Sequence, residues 1–272
     1  MSQPPSTGLD RSQMRDREIR LENLTRREFR EALEDGHFRA AIIATGSVEQ
    51  HLEHLALGQD INSSTHVAER VAEKLYPNVI VAVPMSIGVA EHHMHSAGTL
   101  AAKPGSWLAV LFDAVESLVR HGVTKVLLLN GHAKNGGPAR AALPQWQMHL
   151  SNVQIATGWA DEAKSEKQQR PILKNIEEAG RGELDIRFNS YWDLIPREFA
   201  EKVLTTGSMP GHATEFETAF TMHALPANIR PDALAHNSDQ DPAAATAETG
   251  RLLVDKAVDG VAALVDEMLE NH

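Results

Sequence analysis

Short apolar runs along the chain alternate with longer segments in which apolar residues recur every three or four positions. The longer segments at 63–75 and 104–121 have helical spacing, and Gly122 ends the second of them. Continuous apolar strands separated by amphipathic helices indicate βαβ units. We therefore predict an α/β fold, a three-layer α/β/α arrangement with a mostly parallel central sheet. The predicted strands are residues 40–45, 79–84, 123–129 and 153–157.

Three regions depart from this alternation. Residues 160–211 are polar, contain three prolines and include an aromatic group at 188–192, so we predict an excursion from the sheet, a lid or an oligomer contact. The Ala-rich stretch at 242–269 predicts a docked C-terminal helix. Residues 1–15 are rich in Ser, Pro and Gln and predict a flexible N-terminal arm. The remainder, 16–272, is then a single domain.

Composition narrows the chemistry. The 272 residues include 14 His and no Cys, which excludes disulfides, thiolate zinc sites and cysteine nucleophiles. A formal charge of −11 without a long basic run is unsuited to nucleic acid. The apolar stretches are too short for a secretion signal or a membrane span. We expect a cytoplasmic protein with a small-molecule substrate and with neither nucleic-acid nor membrane partners.

Histidine and acidic residues follow the ends of the first three predicted strands. In open α/β sheets the ligand crevice lies beyond the carboxyl ends of the strands, so these segments are expected to meet. A single His after a strand is more often a capping residue, but core packing gives no reason for three clusters. Residues 46–60, 88–99 and 130–135 read GSVEQHLEHLALGQD, GVAEHHMHSAGT and NGHAKN.

The first and third of these segments contain candidate metal ligands. Glu49 and His51 are two residues apart, so on an extended segment their side chains point to the same side. Asp60 can return to that point after a loop, and His132 can reach it from across the crevice. Carboxylates and imidazoles without sulfur suit Zn²⁺, Mn²⁺ or a mixture of the two.

A fourth segment adds two acidic residues. Residues 211–218 read GHATEFET, and His212 lies five residues before Glu217. If a helix begins at Ala213, Glu215 and Glu217 point in different directions. One of them can then bind metal while the other orients a ligand or caps the helix.

In this order the four segments resemble the four motifs of the creatininase family, the creatinine amidohydrolases and their relatives. The family's first motif is GSxEQHGPHLPLxTD, and its third and fourth are NGHGGN and GHAGExET. The second, Gly-x-x-x-Glu-His followed by Gly-Thr, is matched with its first spacing one residue shorter. The resemblance implies a creatininase-like hydrolase with two divalent metal ions, Zn²⁺ and/or Mn²⁺, and a homohexamer.

The resemblance also implies a ligand set. Carried over by position, Glu49, Asp60 and His132 hold one metal ion. His51 and a bridging Asp60 hold the other, together with a further carboxylate. In creatinine amidohydrolases that carboxylate follows two residues after the third-motif His, where this chain has Lys134.

The fourth motif then has to complete the site. We favour Glu217 over Glu215 as the metal ligand, and His212 matches the family's proton-transfer His. Lys134 becomes a second candidate catalytic residue, because a cation there could polarise a carbonyl or stabilise an enolate. Its alternative is a solvated Lys at a helix start. Substrate contacts are expected from Glu91, His92 and Trp192, and support of the ligands from His54, Glu215 and Asn130.

The departures from the family motifs argue against creatinine as the substrate. Leu52 and Glu53 replace Gly-Pro, Gln59 replaces Thr, and Ala133 with Lys134 replaces Gly-Gly. The main hypothesis is a metal-dependent hydrolase in which a metal-bound hydroxide attacks a carbonyl of a small cyclic polar substrate, with C–N cleavage first. One alternative is C–C hydrolysis of a cyclic β-diketone such as an oxidised inositol, of the 3-dehydro-scyllo-inosose type. The other is a non-catalytic metal-binding α/β protein.

Overall fold

The computed structural model describes residues 18–158, 171–236 and 240–270. The helices are α1 Arg26–Glu34, α2 Gln59–Lys74, α3 Pro104–Arg120, α4 Gly136–Leu150, α5 Arg197–Val203, α6 Glu215–Ala224, α7 Pro231–Ala235, α8 Gln240–Ala243 and α9 Ala247–Glu270. The strands are β1 Ala40–Thr45, β2 Val79–Val81, β3 Lys125–Asn130, β4 Ile155–Thr157, β5 Ile172–Lys174 and β6 Asp185–Ser190. Single 3₁₀ turns include Glu91–His93, Ala133–Asn135 and Tyr191–Leu194.

Four parallel strands form the central sheet, in the order β2-β1-β3-β6. β1 pairs with β3 along its whole length, from Ala40 opposite Lys125 to Thr45 opposite Asn130. Every residue of these two central strands is buried, as expected for strands covered on both faces. The carboxyl ends of β1, β3 and β6 therefore finish at the same edge of the sheet.

Helices cover both faces of the sheet and give the predicted α/β/α layers. Ile42 and Leu127 point to one face, where they pack with apolar residues of α2, α6 and α9. Ile43 and Leu128 point to the other face, where α1, α3 and α4 supply the apolar partners. Within the described ranges, no helix has both the length and the apolar character needed to cross a membrane.

The fourth strand of the central sheet is not the one predicted. Residues 155–157 of the predicted run form β4, which pairs antiparallel with β5 in a separate two-stranded sheet. The place beside β3 is taken by β6, inside the segment predicted as an excursion. That prediction is therefore wrong for residues 185–190. β6 is an edge strand in which only alternate residues are buried, so its sequence lacks the continuous apolar run that predicts a strand.

The N-terminal arm predicted at residues 1–15 lies outside the described residues. The domain boundary after it thus stays a prediction. The excursion prediction also covers 160–170, which are likewise outside the described part. The docked C-terminal helix is present as α9, whose apolar face, including Leu253, Val261 and Val265, lies in the core between α2 and α6.

Candidate metal centre

The candidate centre lies where the chain reverses its direction of travel across the sheet. β1 is followed by β2 on one side and by β3 on the other, and the crevice beyond the carboxyl ends of β1 and β3 is where such sheets bind ligands. A cavity of about 290 Å³ opens at this point. Its lining includes Glu49, Asp60, His92, His93, His132, Lys134, Trp192, His212 and Glu217.

Two glycines let the first turn of α2 enter between the ends of β1 and β3. A Cβ on Gly131 would collide with the carbonyl oxygen of Asp60, and one on Gly46 would collide with the backbone nitrogen of Ile61. Only glycine permits backbones to approach this closely. The approach brings Asp60 to the ends of both strands.

Asn130 holds the end of β3 in the shape that presents His132. Its Oδ1 accepts hydrogen bonds from Thr45 Oγ1 at 3.2 Å and from the His132 backbone nitrogen at 3.1 Å. Its Nδ2 donates to the His132 carbonyl at 2.7 Å and to Ser190 Oγ at 3.0 Å. One buried amide thus ties together the ends of β1, β3 and β6, which is the supporting place expected for it.

Five predicted ligands meet at the floor of the cavity. His51 Nε2 lies 3.0 Å from Asp60 Oδ1 and 3.8 Å from Glu217 Oε2. His132 Nδ1 lies 2.9 Å from Asp60 Oδ2 and 3.3 Å from Glu49 Oε2. Asp60 therefore offers one oxygen to each half of the cluster. No side chain of the five is more than 6% exposed.

The donor atoms fit divalent metal ions. Glu49 Oε2 and His51 Nε2 are buried without a hydrogen bond of acceptable geometry to any described residue, although Asp60 Oδ1 is close to the second atom. Buried polar atoms rarely lack a hydrogen-bond partner. Several groups of three donors lie within 4.8 Å of one another, among them Glu49–His51–Asp60 and His51–His212–Glu217. Carboxylate and imidazole donors at this spacing suit Zn²⁺ and Mn²⁺.

The two imidazoles of the cluster, His51 and His132, offset part of the negative charge of its carboxylates. Burial alone would lower the pKa of His51, but the close contact with Asp60 and the charges of Glu217 and Asp60 outweigh it and raise that pKa to about 9. The pKa of His132 is likewise raised to about 10 against the effect of burial, by the hydrogen bond to Asp60 and by the nearby carboxylate of Glu49. Both rings are therefore imidazolium ions at neutral pH, held among carboxylates.

The two acids of α6 have different surroundings. Glu217 faces the cluster, where its Oε2 accepts a hydrogen bond from the Ala213 backbone nitrogen at 2.5 Å. Burial raises its pKa to about 7, with the charge of Asp60 adding to the effect and that of His51 opposing it. Glu215 points away and accepts hydrogen bonds from Thr205 and Thr206. By geometry, the candidate ligand is Glu217, and Glu215 fixes the preceding loop.

His212 and His93 stand side by side at the cavity wall. Their ring centroids are 4.5 Å apart with 17° between the planes. Nδ1 of His212 lies 3.9 Å from Glu49 Oε1, and Nε2 of His93 lies 3.6 Å from the same oxygen. Burial, with the charges of His51 and His93, lowers the pKa of His212 to about 4, so this ring is neutral when the other two are charged.

A family comparison agrees with the motifs. The model of the creatininase family, described as creatinine amidohydrolase, matches residues 22–265. The chain belongs to the creatininase family. Creatinine amidohydrolase of Pseudomonas putida is 21% identical over a 257-residue match that covers 83% of this chain and 88% of that protein. A 3-dehydro-scyllo-inosose hydrolase of Thermotoga maritima is 30% identical over 117 residues, 43% of this chain and 36% of that protein.

Solved creatininase structures share the fold. A crystal structure of creatinine amidohydrolase superposes with a TM-score of 0.72 at 20% identity, covering 93% of this chain and 99% of that one. Structures titled as a manganese form and as a mutant Zn-Zn form each give a TM-score of 0.69 at 20% identity. They cover 93% of this chain and 99% and 98% of their own chains, respectively. Relatives in the creatininase family thus exist as Mn and Zn forms.

The remaining predicted residues divide between the cavity and its surroundings. Lys134, His92 and Trp192 line the cavity of this creatininase-family chain. Glu91 does not: its carboxylate is at the surface, 2.7 Å from Lys103 Nζ. The motif places a Glu before the His, but the 3₁₀ turn at 91–93 directs Glu91 outward. The expected substrate contact of Glu91 is therefore not supported by its position.

One expected supporting residue lies behind the ligands, and two residues near them were missed. His54 is fully buried, with Nε2 2.9 Å from Thr218 Oγ1, so it braces α6 from the rear. The sequence patterns do not predict His93 or Gln50 as site residues. Gln50 Nε2 lies 2.7 Å from His212 Nε2. The available signal was that both residues fall inside the matched motifs, yet nothing in the spacing shows that they meet.

Proposed function

We propose that this chain is a divalent-metal-dependent hydrolase of small cyclic polar substrates. Glu49, Asp60 and His132 would hold one ion, and His51, Asp60 and Glu217 the other. The observation that supports this most is the meeting of these five buried residues, with Asp60 between the two imidazoles and with two donor atoms that lack a hydrogen bond of acceptable geometry. The cavity above them, at about 290 Å³, has room for a small ring.

The chain's own residues supply the remaining chemistry. Two divalent ions, when bound, would supply a water with its pKa lowered to about 7 and a positive charge that polarises a carbonyl oxygen. His212 faces the cluster with Nδ1, from where its ring can hydrogen-bond to the reacting oxygen or to the leaving group. Trp192 is 8% exposed and offers an apolar wall for one face of a ring. Lys134 brings a positive charge to the cavity lining.

We propose C–N cleavage of a cyclic amide as the first reaction. It adds one water across the bond: the water oxygen bonds to the carbonyl carbon, the C–N bond breaks, and the nitrogen keeps the electron pair and takes a proton. The support is the family description and the relative from Pseudomonas putida, an amidohydrolase that matches 83% of the chain. The changed motif residues argue for a lactam other than creatinine.

A second candidate is C–C hydrolysis that opens a cyclic β-diketone. The water oxygen bonds to one carbonyl carbon, the C–C bond to the carbon between the two carbonyls breaks, and that carbon keeps the electron pair as an enolate and then takes a proton. A nearby ammonium group stabilises the enolate. Lys134 favours this reaction, because it lines the cavity where creatinine amidohydrolases have a carboxylate. A relative named as a 3-dehydro-scyllo-inosose hydrolase adds support over 43% of the chain.

Two substrate panels separate the candidates. The metal-loaded protein is assayed against lactams and against cyclic β-diketones, together with Lys134→Met. Turnover of lactams alone, with little effect of the substitution, supports C–N cleavage. Turnover of diketones alone, reduced about 100-fold in Lys134→Met, overturns that assignment in favour of C–C cleavage. Lys103→Met removes a surface lysine of the same type and serves as the control.

Metal analysis tests the centre itself, using two acids on one helix. We expect two ions per chain, one in Glu217→Gln, and two in Glu215→Gln. Both substitutions remove a buried carboxylate, but only Glu217 faces the cluster. A wild-type protein that neither contains nor binds Zn²⁺ or Mn²⁺ contradicts the proposal. A protein that binds the metals yet hydrolyses neither panel supports the non-catalytic alternative.

The expected homohexamer and the cytoplasmic location stay predictions. Light scattering of the purified protein checks the first, with a mass near six chains as the expected result. Fractionation of the source cells checks the second.

A further inference from the structure

Gln50 contacts both histidines of the cavity wall with a single group. Its Nε2 lies 2.7 Å from His212 Nε2 and 3.0 Å from His93 Nδ1. Gln50 follows the proposed ligand Glu49 directly, so the same backbone segment positions a metal ligand and this amide. The two rings stack at 4.5 Å, and they reach the amide through nitrogens that face away from Glu49.

The orientation of the Gln50 amide is fixed by its other end. The backbone nitrogen of Leu52 donates to Gln50 Oε1 at 3.1 Å. A backbone N–H can only donate, so the oxygen of the amide has to face Leu52 and the NH₂ group has to face the two rings. Leu52 itself lies in the left-handed region at φ 53°, so the chain turns directly after this hydrogen bond.

The NH₂ group has two protons to give and no lone pair to offer. Both ring nitrogens in contact with it must therefore be acceptors, which means that they carry no proton. In each neutral ring the proton is then on the opposite nitrogen: Nδ1 in His212 and Nε2 in His93. These are the nitrogens that lie 3.9 and 3.6 Å from Glu49 Oε1.

We propose that Gln50 is a positioning residue that fixes the tautomers of His212 and His93, so that both rings present N–H groups to the cavity. The two N–H groups converge near Glu49 Oε1, at distances too long for direct hydrogen bonds. An oxygen of the substrate that gains negative charge could accept from both. His212 then begins the reaction as a hydrogen-bond donor, rather than as a base at Nδ1.

The same tautomers sort the imidazoles of the cavity into ligands and donors. Glu49, His93 and His212 are close enough to hold an ion by distance alone. A protonated nitrogen has no lone pair for a metal, and the hydrogen bonds from Gln50 oppose moving the proton to the other nitrogen of each ring. Gln50 therefore disfavours this group as a third metal site. Among the described residues, no hydrogen bond joins the Gln50 side chain to the ring of His51 or His132; the nearest partners of these two rings are carboxylates, which favour metal ligation.

Nitrogen-15 NMR of histidine-labelled protein tests the tautomers directly. Couplings between the ring-carbon protons and each nitrogen show which nitrogen is protonated, and His212→Gln and His93→Gln variants assign the signals. We expect protonated Nδ1 in His212 and protonated Nε2 in His93 at neutral pH. The opposite tautomer in either ring overturns the proposal, whether or not the protein is active.

A charge substitution tests whether Gln50 is the cause. Gln50→Glu keeps an acceptor for Leu52 but offers the rings an oxygen, so the ring proton is expected to move from Nδ1 to Nε2 in His212 and from Nε2 to Nδ1 in His93. We expect kcat to fall about 100-fold with KM little changed, as for loss of an oxyanion donor. Unchanged tautomers in Gln50→Glu refute the role of Gln50. Gln145→Glu, on the exposed face of α4, is the matched control.

The positioning role rests on the proposed hydrolase only for its effect on rate. If the wild-type protein has the stated tautomers but no hydrolase activity, the proposed function fails and the tautomer assignment stands. If it is an active hydrolase and Gln50→Glu changes the tautomers without changing kcat, the positioning role in catalysis fails and the proposed function stands.

Discussion

Metal binding should release two protons per chain at neutral pH. In the metal-free protein, carboxylates raise the pKa of His51 to about 9 and that of His132 to about 10. At pH 7 both rings carry the extra proton, and ligation displaces it. At 1.36 kcal/mol per pKa unit, deprotonation at about pH 7 costs about 3 kcal/mol for His51 and about 4 kcal/mol for His132.

This cost sets how metal affinity depends on pH. It falls for both rings as pH rises, so the product of the two binding constants should increase about 100-fold per pH unit between about pH 7 and about pH 9. Below about pH 7, Glu217 should add a third released proton, since burial raises its pKa to about 7. Metal affinity is expected to rise with pH because the pKa values of these groups are raised, so that protons have to leave before the metal can bind.

Chelator competition measures the slope, and calorimetry in buffers of different ionisation enthalpy counts the protons. The metal-free protein is titrated with Zn²⁺, with His149→Gln as a control that removes an exposed histidine on α4. A slope near zero would show that the two rings are already neutral in the metal-free chain, and the account of the cluster as imidazolium ions among carboxylates would be wrong.

Three further results are expected. Asp60→Asn should lose both metal ions, because Asp60 contacts both imidazoles, whereas His212→Ala should keep both ions and lose about 100-fold or more in kcat. Metal analysis and steady-state kinetics of the two variants test this, and equal metal loss in both variants contradicts it. The Tm of the metal-free protein should fall as pH rises through about 9 to 10, because the protonated rings of His51 and His132 stabilise the fold fully only below about pH 6.5. Added Zn²⁺ should remove this fall, and a Tm of the metal-free protein that does not change with pH contradicts the prediction. Leu52→Gly should raise the free energy of unfolding by up to about 1 kcal/mol, because Leu52 has φ 53° where the family motif has glycine. Urea denaturation measures this change, and a loss of stability would show that the contacts of the Leu52 side chain outweigh the strain of its backbone.

The sequence predicts the central strands well because burial on both faces leaves an uninterrupted apolar run. The sequence predicts β1 and β3 in this way, and the segments after them contain four of the candidate metal ligands. β6 escapes because it lies at the edge of the sheet, where only alternate residues are buried. β4 misleads in the opposite sense: its run looks buried, but only Ile155 is, and the strand pairs outside the central sheet.

The candidate site shows the same limit at the scale of single side chains. Glu215 and Glu217 are two residues apart on α6, so helix geometry predicts that they diverge. Which one meets the cluster depends on how α6 packs, and no local pattern contains that. Gln50 is a sharper case, because its partners His93 and His212 are 43 and 162 residues away along the chain.

The two glycines at the strand ends have a consequence for mutational tolerance. Neither Gly46 nor Gly131 has a side chain that could bind anything, yet a single methyl group at either would push the first turn of α2 away from the sheet. Asp60 would move with it, and both halves of the cluster would lose their common carboxylate. The positions that tolerate least change are thus expected to include the two glycines, where no side-chain atom fits, as well as the candidate metal ligands.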